Sequence, residues 1–214
     1  MVVHCASDRA KAKETRKLIE EKGGKAAAVT GDLTDPCTAE RLMAENGPLD
    51  ALVLDASMQI RRPWQKISLE EYQKQMTCNF YSSLRLIQLA VPHMKAQKWG
   101  RIVTIGSVQE RKPHTDMLVY SASKAAQTNM VQSLAQQLAA DGITVNNVAP
   151  GVIFTARNVE ALSDPTYAAE VTVSIPAGFY GEPRDCAGVV RLLLSDAARY
   201  ITGQSIYVDG GKSP

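Results

Sequence analysis

Six short runs of continuous apolar residues constrain this chain more than any other feature. They are VVHC (2–5), AAAV (26–29), ALVLD (51–55), RIVTIGS (101–107), ITVNNVA (143–149) and SIYV (205–208). A strand with one wet face alternates apolar and polar residues; these runs do not, as expected for strands buried on both faces of a parallel sheet. Helical-period segments lie between them, near 8–22, 36–46, 68–97, 118–140 and 183–195. Gly23-Gly24 and Asp141-Gly142 supply helix stops, and Ser68 with Glu71 has the spacing of a capping box. Strand–helix–strand repetition gives right-handed βαβ units. The fold class is therefore α/β, a doubly wound, mostly parallel sheet with helices on both faces, and residues 1–214 read as one domain.

Segment 150–182 breaks the rhythm with Pro150, Gly151, Pro165, Pro176, Gly178 and Gly181. A long irregular stretch after a strand's carboxyl end is where such folds carry substrate-covering elements, so 152–182 is read as a lid, the alternative being a plain surface loop.

Composition removes several function classes. A net charge of +2, with Lys and Arg scattered, offers no electrostatic footprint for nucleic acid. Cys5, Cys37, Cys78 and Cys186 have no CxxC spacing and suit buried thiols in a reducing cytoplasm. His4, His93 and His114 have no metal-ligand spacing, so no metal is expected. No apolar run approaches the roughly 20 residues of a membrane span.

The chemistry concentrates in Tyr120-Ser-Ala-Ser-Lys124, which opens a long helical segment. Residues four apart share a helix face, so phenol and ammonium point the same way. A nearby fixed positive charge favours phenolate and brings proton exchange toward neutral pH. Alone, the pair also fits a surface tyrosine stacked on a lysine stem. Ser107 ends an apolar run at the sheet's carboxyl edge, where its hydroxyl can position a substrate oxygen. Asn79, inside a helical segment, is either functional or merely solvated.

Asn79, Ser107, Tyr120 and Lys124, in that order and spacing, resemble the catalytic tetrad of the short-chain dehydrogenase/reductase family. Asn146-Asn-Val-Ala-Pro150-Gly151-Val-Ile153-Phe-Thr155 resembles its nicotinamide-side motif, and Gly31-Asp32-Leu33-Thr-Asp35 its adenine-side turn. Gly181-Glu-Pro183, Tyr200-Ile-Thr-Gly203 and Val208-Asp-Gly-Gly211 resemble the closing signature. The resemblance implies a Rossmann-like fold and hydride transfer between NADP, or alternatively NAD, and a small alcohol or ketone. By it Tyr120 is the general acid/base and Ser107 orients the substrate oxygen. Lys124 lowers the tyrosine pKa and binds the nicotinamide ribose, while Asn79 supports a proton relay. Pro150, Gly151, Ile153 and Thr155 would face nicotinamide, and Asp32 and Leu33 the adenine. A homodimer or homotetramer paired through segments 68–97 and 118–140 is also implied.

Two departures stand out. The family's Asn-Asn-Ala-Gly, beside the adenosine, is here Leu54-Asp55-Ala56-Ser57, and an ionised Asp55 accepts hydrogen bonds but donates none. The residues matching the adenosine contacts are thus Asp55, Ala56 and Ser57; Asp55 also suits purely local bonds to backbone N–H groups. Secondly, no Thr-Gly-x-x-x-Gly-x-Gly loop, the family's pyrophosphate cradle, occurs in the sequence. VVHC then matches the family's second strand, and a first βα unit of roughly thirty residues is expected to be missing. In the family's order that strand would lie between 2–5 and 51–55. An internal start, a natural remnant, or direct pairing of 2–5 with 51–55 would each account for this. The stretch after VVHC, Ser7-Asp8-Arg9, occupies the ribose-selecting turn; Ser7 and Arg9 there suit the 2′-phosphate of NADP, while Asp8 suits a helix cap. Two other outcomes stay open: a non-catalytic remnant serving as an oligomerisation partner, and reduction of 3-oxoacyl thioesters.

Overall fold

The computed structural model describes residues 1–213. The chain runs β1 (Val2–Cys5), α1 (Arg9–Glu21), β2 (Ala27–Thr30), α2 (Thr38–Asn46) and β3 (Ala51–Leu54). It continues through α3 (Leu69–Met76), a π-helical turn (Thr77–Tyr81), α4 (Ser82–Gln97) and β4 (Gly100–Ile105). Then come α5 (Leu118–Leu138), β5 (Ile143–Pro150), α6 (Val159–Leu162), α7 (Pro165–Val173), α8 (Pro183–Leu193) and β6 (Ser205–Val208). Every strand pairing is parallel, so the carboxyl ends of bonded strands share an edge.

The continuous apolar runs are explained by two cores, one on each sheet face. Ile102 and Val145 point into a cluster with Ile87, Met94 and Val131 of α4 and α5. Their neighbours Val103 and Val148 point the other way, onto Leu193 of α8 and Ala198. Ile102 and Val103 are both fully buried although side chains alternate along a strand. Removing either to alanine would cost about 2–5 kcal/mol. Gly142, at φ 74°, ends the α5 segment, and a Cβ there would lie 2.2 Å from the Lys98 carbonyl oxygen. Only glycine fits that approach.

The ladder is in two parts: β1 bonds only β2, and β3–β4–β5–β6 form a four-stranded sheet. Direct pairing of 2–5 with 51–55, one of the sequence alternatives, is therefore corrected: the register pairs Val2–Cys5 with Ala27–Thr30 and leaves β3 bonded to β4 alone. As an edge, β3 leaves Val53 46% exposed, unlike a strand covered on both faces. The two parts are joined instead through side chains. Leu33 and Leu42 pack with Cys78, Ala56 and Met58, and Arg85 of α4 bonds Glu40 of α2 at 2.5 Å.

Segment 68–97 is one helical period in sequence but not in space. Its start is the expected capping box, with Ser68 Oγ accepting from the Glu71 amide and Glu71 accepting from the Ser68 amide. At Thr77–Tyr81 it widens into a π turn centred on Asn79. Segment 152–182 likewise holds two short helices, α6 and α7, the latter started by Pro165 and the Asp164 cap.

Strands β4 and β5 are flanked on both sides, while β1–β2 is a two-stranded ladder, a marginal unit on its own. Hydrogen exchange followed by mass spectrometry should find β4 and β5 the slowest segments and β1–β2 clearly faster. Equal protection of both would contradict this.

Candidate active site

Along the carboxyl edge of β3, β4 and β5 the chain brings together Asp55, Ser107 and Pro150, with α5 laying Tyr120 and Lys124 beneath them. All four tetrad residues are buried, and Asn79 is fully so.

Lys124 is 1% exposed. Its Nζ donates to the Ile105 carbonyl at 2.7 Å and to Gln127 Oε1 at 3.3 Å, and it lies 5.8 Å from the Tyr120 ring centre. No carboxylate pairs with it among the described residues. Burial disfavours the charged form and draws its pKa down to about 8, against an opposing pull from Asp55. An ammonium has three N–H groups, and two have protein acceptors. The third is available to a bound molecule.

Tyr120 differs from expectation. Burial, the largest influence, pushes its pKa up, while the Ser107 hydroxyl and the Arg157 charge draw it back and Asp55 opposes them. Desolvation outweighs stabilising charge, so the phenol holds its proton through neutral pH. Ser107 Oγ also accepts from the Gln109 amide at 3.2 Å, which fixes it as cap of the turn after β4.

Asn79 is committed on both ends of its amide. Its Oδ1 accepts from the Met58 amide at 2.6 Å; its Nδ2 donates to the Met58 carbonyl at 2.8 Å and to Ser123 Oγ at 2.9 Å. It thereby ties the loop after β3 to α5, one turn from Tyr120. The solvated reading of Asn79 is removed by this burial.

The sequence-predicted cofactor contacts all lie at strand carboxyl ends, but on different parts of the edge. Ser7 and Arg9 are exposed beyond β1. Asp32 follows β2, accepting from the Thr34 amide at 2.9 Å, which lowers its pKa, and Leu33 is buried beside it. Asp55 is exposed after β3, Ala56 packs below it, and Ser57 is bonded by Arg157. Gly151 is required by close packing, since a Cβ would lie 2.7 Å from that of Asp209. Ile153 bridges to Gly181, and the Thr155 carbonyl accepts from the Asn158 and Val159 amides. Asn146 and Asn147 work inside the core: Asn146 bonds Ile201 and Gln204, and Asn147 accepts from Thr104.

Four contributors were not singled out from sequence. Ser123 and Gln127 hold Asn79 and Lys124; each lies three residues beyond Tyr120 or Lys124, so helical spacing was an available signal. Glu110 accepts from Thr128 at 2.7 Å, Asn147 at 3.0 Å, Ser205 at 2.6 Å and Tyr207 at 2.5 Å, locking the β4, β5 and β6 ends together. Arg157 bonds Ser57, a hundred residues away. Neither has a local signature.

The chain belongs to the short-chain dehydrogenase/reductase family: a family model described as enoyl-(acyl carrier protein) reductase matches residues 1–213. It is 35% identical over 216 residues to 3beta-hydroxysteroid dehydrogenase 1 of Eggerthella lenta, covering 99% of this chain and 83% of that one. It is 36% identical over 200 residues to glucose 1-dehydrogenase of Gluconobacter oxydans, covering 91% and 75% respectively. In structure it is similar to a 3-oxoacyl (acyl-carrier-protein) reductase from Agrobacterium tumefaciens C58 with NADP bound. That match has a TM-score of 0.92 and 33% identity, with 98% of this chain and 83% of that chain covered.

The nicotinamide cofactor of this family fits one end of the site. The fully buried Lys124, with a donor to spare beside a neutral phenol, suits a ribose hydroxyl; the Gly-rich phosphate cradle has no match in this sequence.

Burial of Lys124 gives a direct check. Its side chain, followed by NMR of 13C-labelled lysine, should titrate near pH 8, below the ordinary value of 10.5. Between those values the unfolded chain holds a proton that the native chain has shed, so the Lys124 contribution to stability rises with pH. Titration above pH 10 would refute the burial argument.

Proposed function

We propose that this chain is an oxidoreductase that reduces a small ketone, or oxidises the matching alcohol, with NADP(H). The observation that supports it most strongly is the buried Lys124, unpaired by any acid yet set on the same face of α5 as Tyr120. An isolated buried ammonium is costly, and Gln127 and the Ile105 carbonyl compensate only part of that cost. A charge kept in such a place suits work in the cleft better than support of the fold. That weighs against the reading as a non-catalytic remnant.

When bound, the nicotinamide supplies or accepts the hydride at the reacting carbon. The protein's own part is proton transfer and positioning. In reduction, the neutral Tyr120 phenol gives its proton to the carbonyl oxygen as the carbon becomes a carbinol. Ser107 donates a hydrogen bond to that same oxygen and holds it against the phenol. Lys124 lends positive charge to the tyrosinate left behind, and its third N–H holds the nicotinamide ribose. Asn79 fixes the π turn and the Met58 loop around them, next to the route by which the proton is replaced.

Pro150, Gly151, Ile153 and Thr155 would flank the nicotinamide, and Asp32, Leu33, Asp55, Ala56 and Ser57 the adenosine. Arg9 supports the choice of NADP. Asp8, the only acid in that turn, is occupied as the α1 cap, accepting from the Lys11 amide at 3.2 Å, so Arg9 and Ser7 are left to meet a 2′-phosphate. Segment 152–182 closes over the substrate, and the stacking of Phe154 on Tyr180 at 5.7 Å ties its two ends together. Segments 68–97 (α3, the π turn and α4) and 118–140 (α5) carry a homo-oligomer contact by family resemblance.

Tyr120→Phe removes the proton donor and leaves the ring. NADPH-dependent reduction, assayed on a panel of small ketones and one 3-oxoacyl thioester, should fall by roughly a hundredfold or more. Thermal melting should be little changed. Activity retained within a few-fold would remove Tyr120 from the role of acid.

A further inference from the structure

The β5–α8 segment crosses the cleft through one side chain. Arg157 Nη2 donates to the Ser57 carbonyl at 2.9 Å, and both Nη atoms donate to Ser57 Oγ at 3.1 Å. Ser57 stands where the family carries glycine in its adenosine-side motif, and glycine would offer no hydroxyl. These oxygens are neutral. Arg157 is solvent-exposed and makes no ion pair among the described residues, although eleven other Arg and Lys side chains do. Asp55, two residues before Ser57, does not pair with Arg157. Its positive charge is also felt at Tyr120 and Lys124, where it favours the lower pKa of each.

A planar guanidinium binds phosphate or carboxylate oxygens in pairs, and those charge-assisted bonds are about twice as strong as bonds to a hydroxyl or a peptide carbonyl. An oxyanion entering between Arg157 and Ser57 therefore displaces the present bonds. We propose that Arg157 is the anion-binding residue of this cleft, held ready on Ser57 and transferring its Nη donors to a phosphate or carboxylate of the bound ligand. The inference rests on the oxidoreductase reading only for the ligand's identity. The anion comes either from the cofactor's pyrophosphate or from an acidic group of the substrate.

The test is NMR of the full chain with the Arg157 Nε resonance assigned, titrated with inorganic pyrophosphate. A saturable shift of Arg157 and of the Ser57 amide is expected in wild type. In Arg157→Met the Ser57 shift should vanish, and in Arg157→Lys it should persist weakened. An unmoved Arg157, or an identical Ser57 response in Arg157→Met, overturns the proposal even in a chain that binds nicotinamide well. The source follows from direct binding. If it is the cofactor, Arg157→Met weakens NADPH roughly tenfold or more and leaves reduced nicotinamide riboside, which lacks phosphate, unchanged. If it is the substrate, NADPH affinity holds, and KM rises for a keto acid but not for its methyl ester. Pyrophosphate binding without any NADPH binding would sustain the anion site and sink the oxidoreductase reading instead.

Discussion

The site depends on an ammonium held in the protein interior without a carboxylate. Lys124 is fixed at its base by α5 and at its tip by the Ile105 carbonyl and Gln127, so it cannot swing away from Tyr120. Burial is what makes the arrangement useful. The same desolvation that draws the lysine pKa to about 8 pushes the phenol up, leaving a proton on each group at neutral pH. On the proposed reading, a proton donor and a positive charge then stand side by side where a carbonyl oxygen would gain negative charge.

The surroundings exist to keep that geometry. Asn79 widens a helix into a π turn and uses its whole amide on Met58 and Ser123, pinning the loop after β3 to the helix that carries Tyr120. Glu110 draws four donors from α5, β5 and β6 onto one carboxylate, three residues from Ser107. Two apolar clusters on opposite faces of β4 and β5 hold the edge on which all of this stands. The weaker part of the molecule is elsewhere, at β1 and β2, which have no ladder to the main sheet.

Much of this was legible in the sequence because it is local or periodic. The apolar runs lie within a residue or two of the strands, and the Ser68–Glu71 cap and the Gly142 stop are where spacing placed them. Tyr120 and Lys124 share a face as four-residue spacing demands. What escaped the sequence is what depends on partners far along the chain. The π turn follows from bonds between Asn79 and residues 21 and 44 positions away, and the Arg157 contact from one 100 away. The direction of the Tyr120 shift escaped for a related reason: spacing shows a neighbouring charge, but only the fold shows how little water reaches the phenol.

The claim that Lys124 keeps a donor for the nicotinamide ribose is tested most directly by nicotinamide fluorescence. NADPH is titrated into wild type and Lys124→Met, with circular dichroism confirming that both are folded. Enhanced, saturable emission in wild type and its loss in Lys124→Met is the expected result. Equal enhancement in both would contradict a cleft built around this lysine.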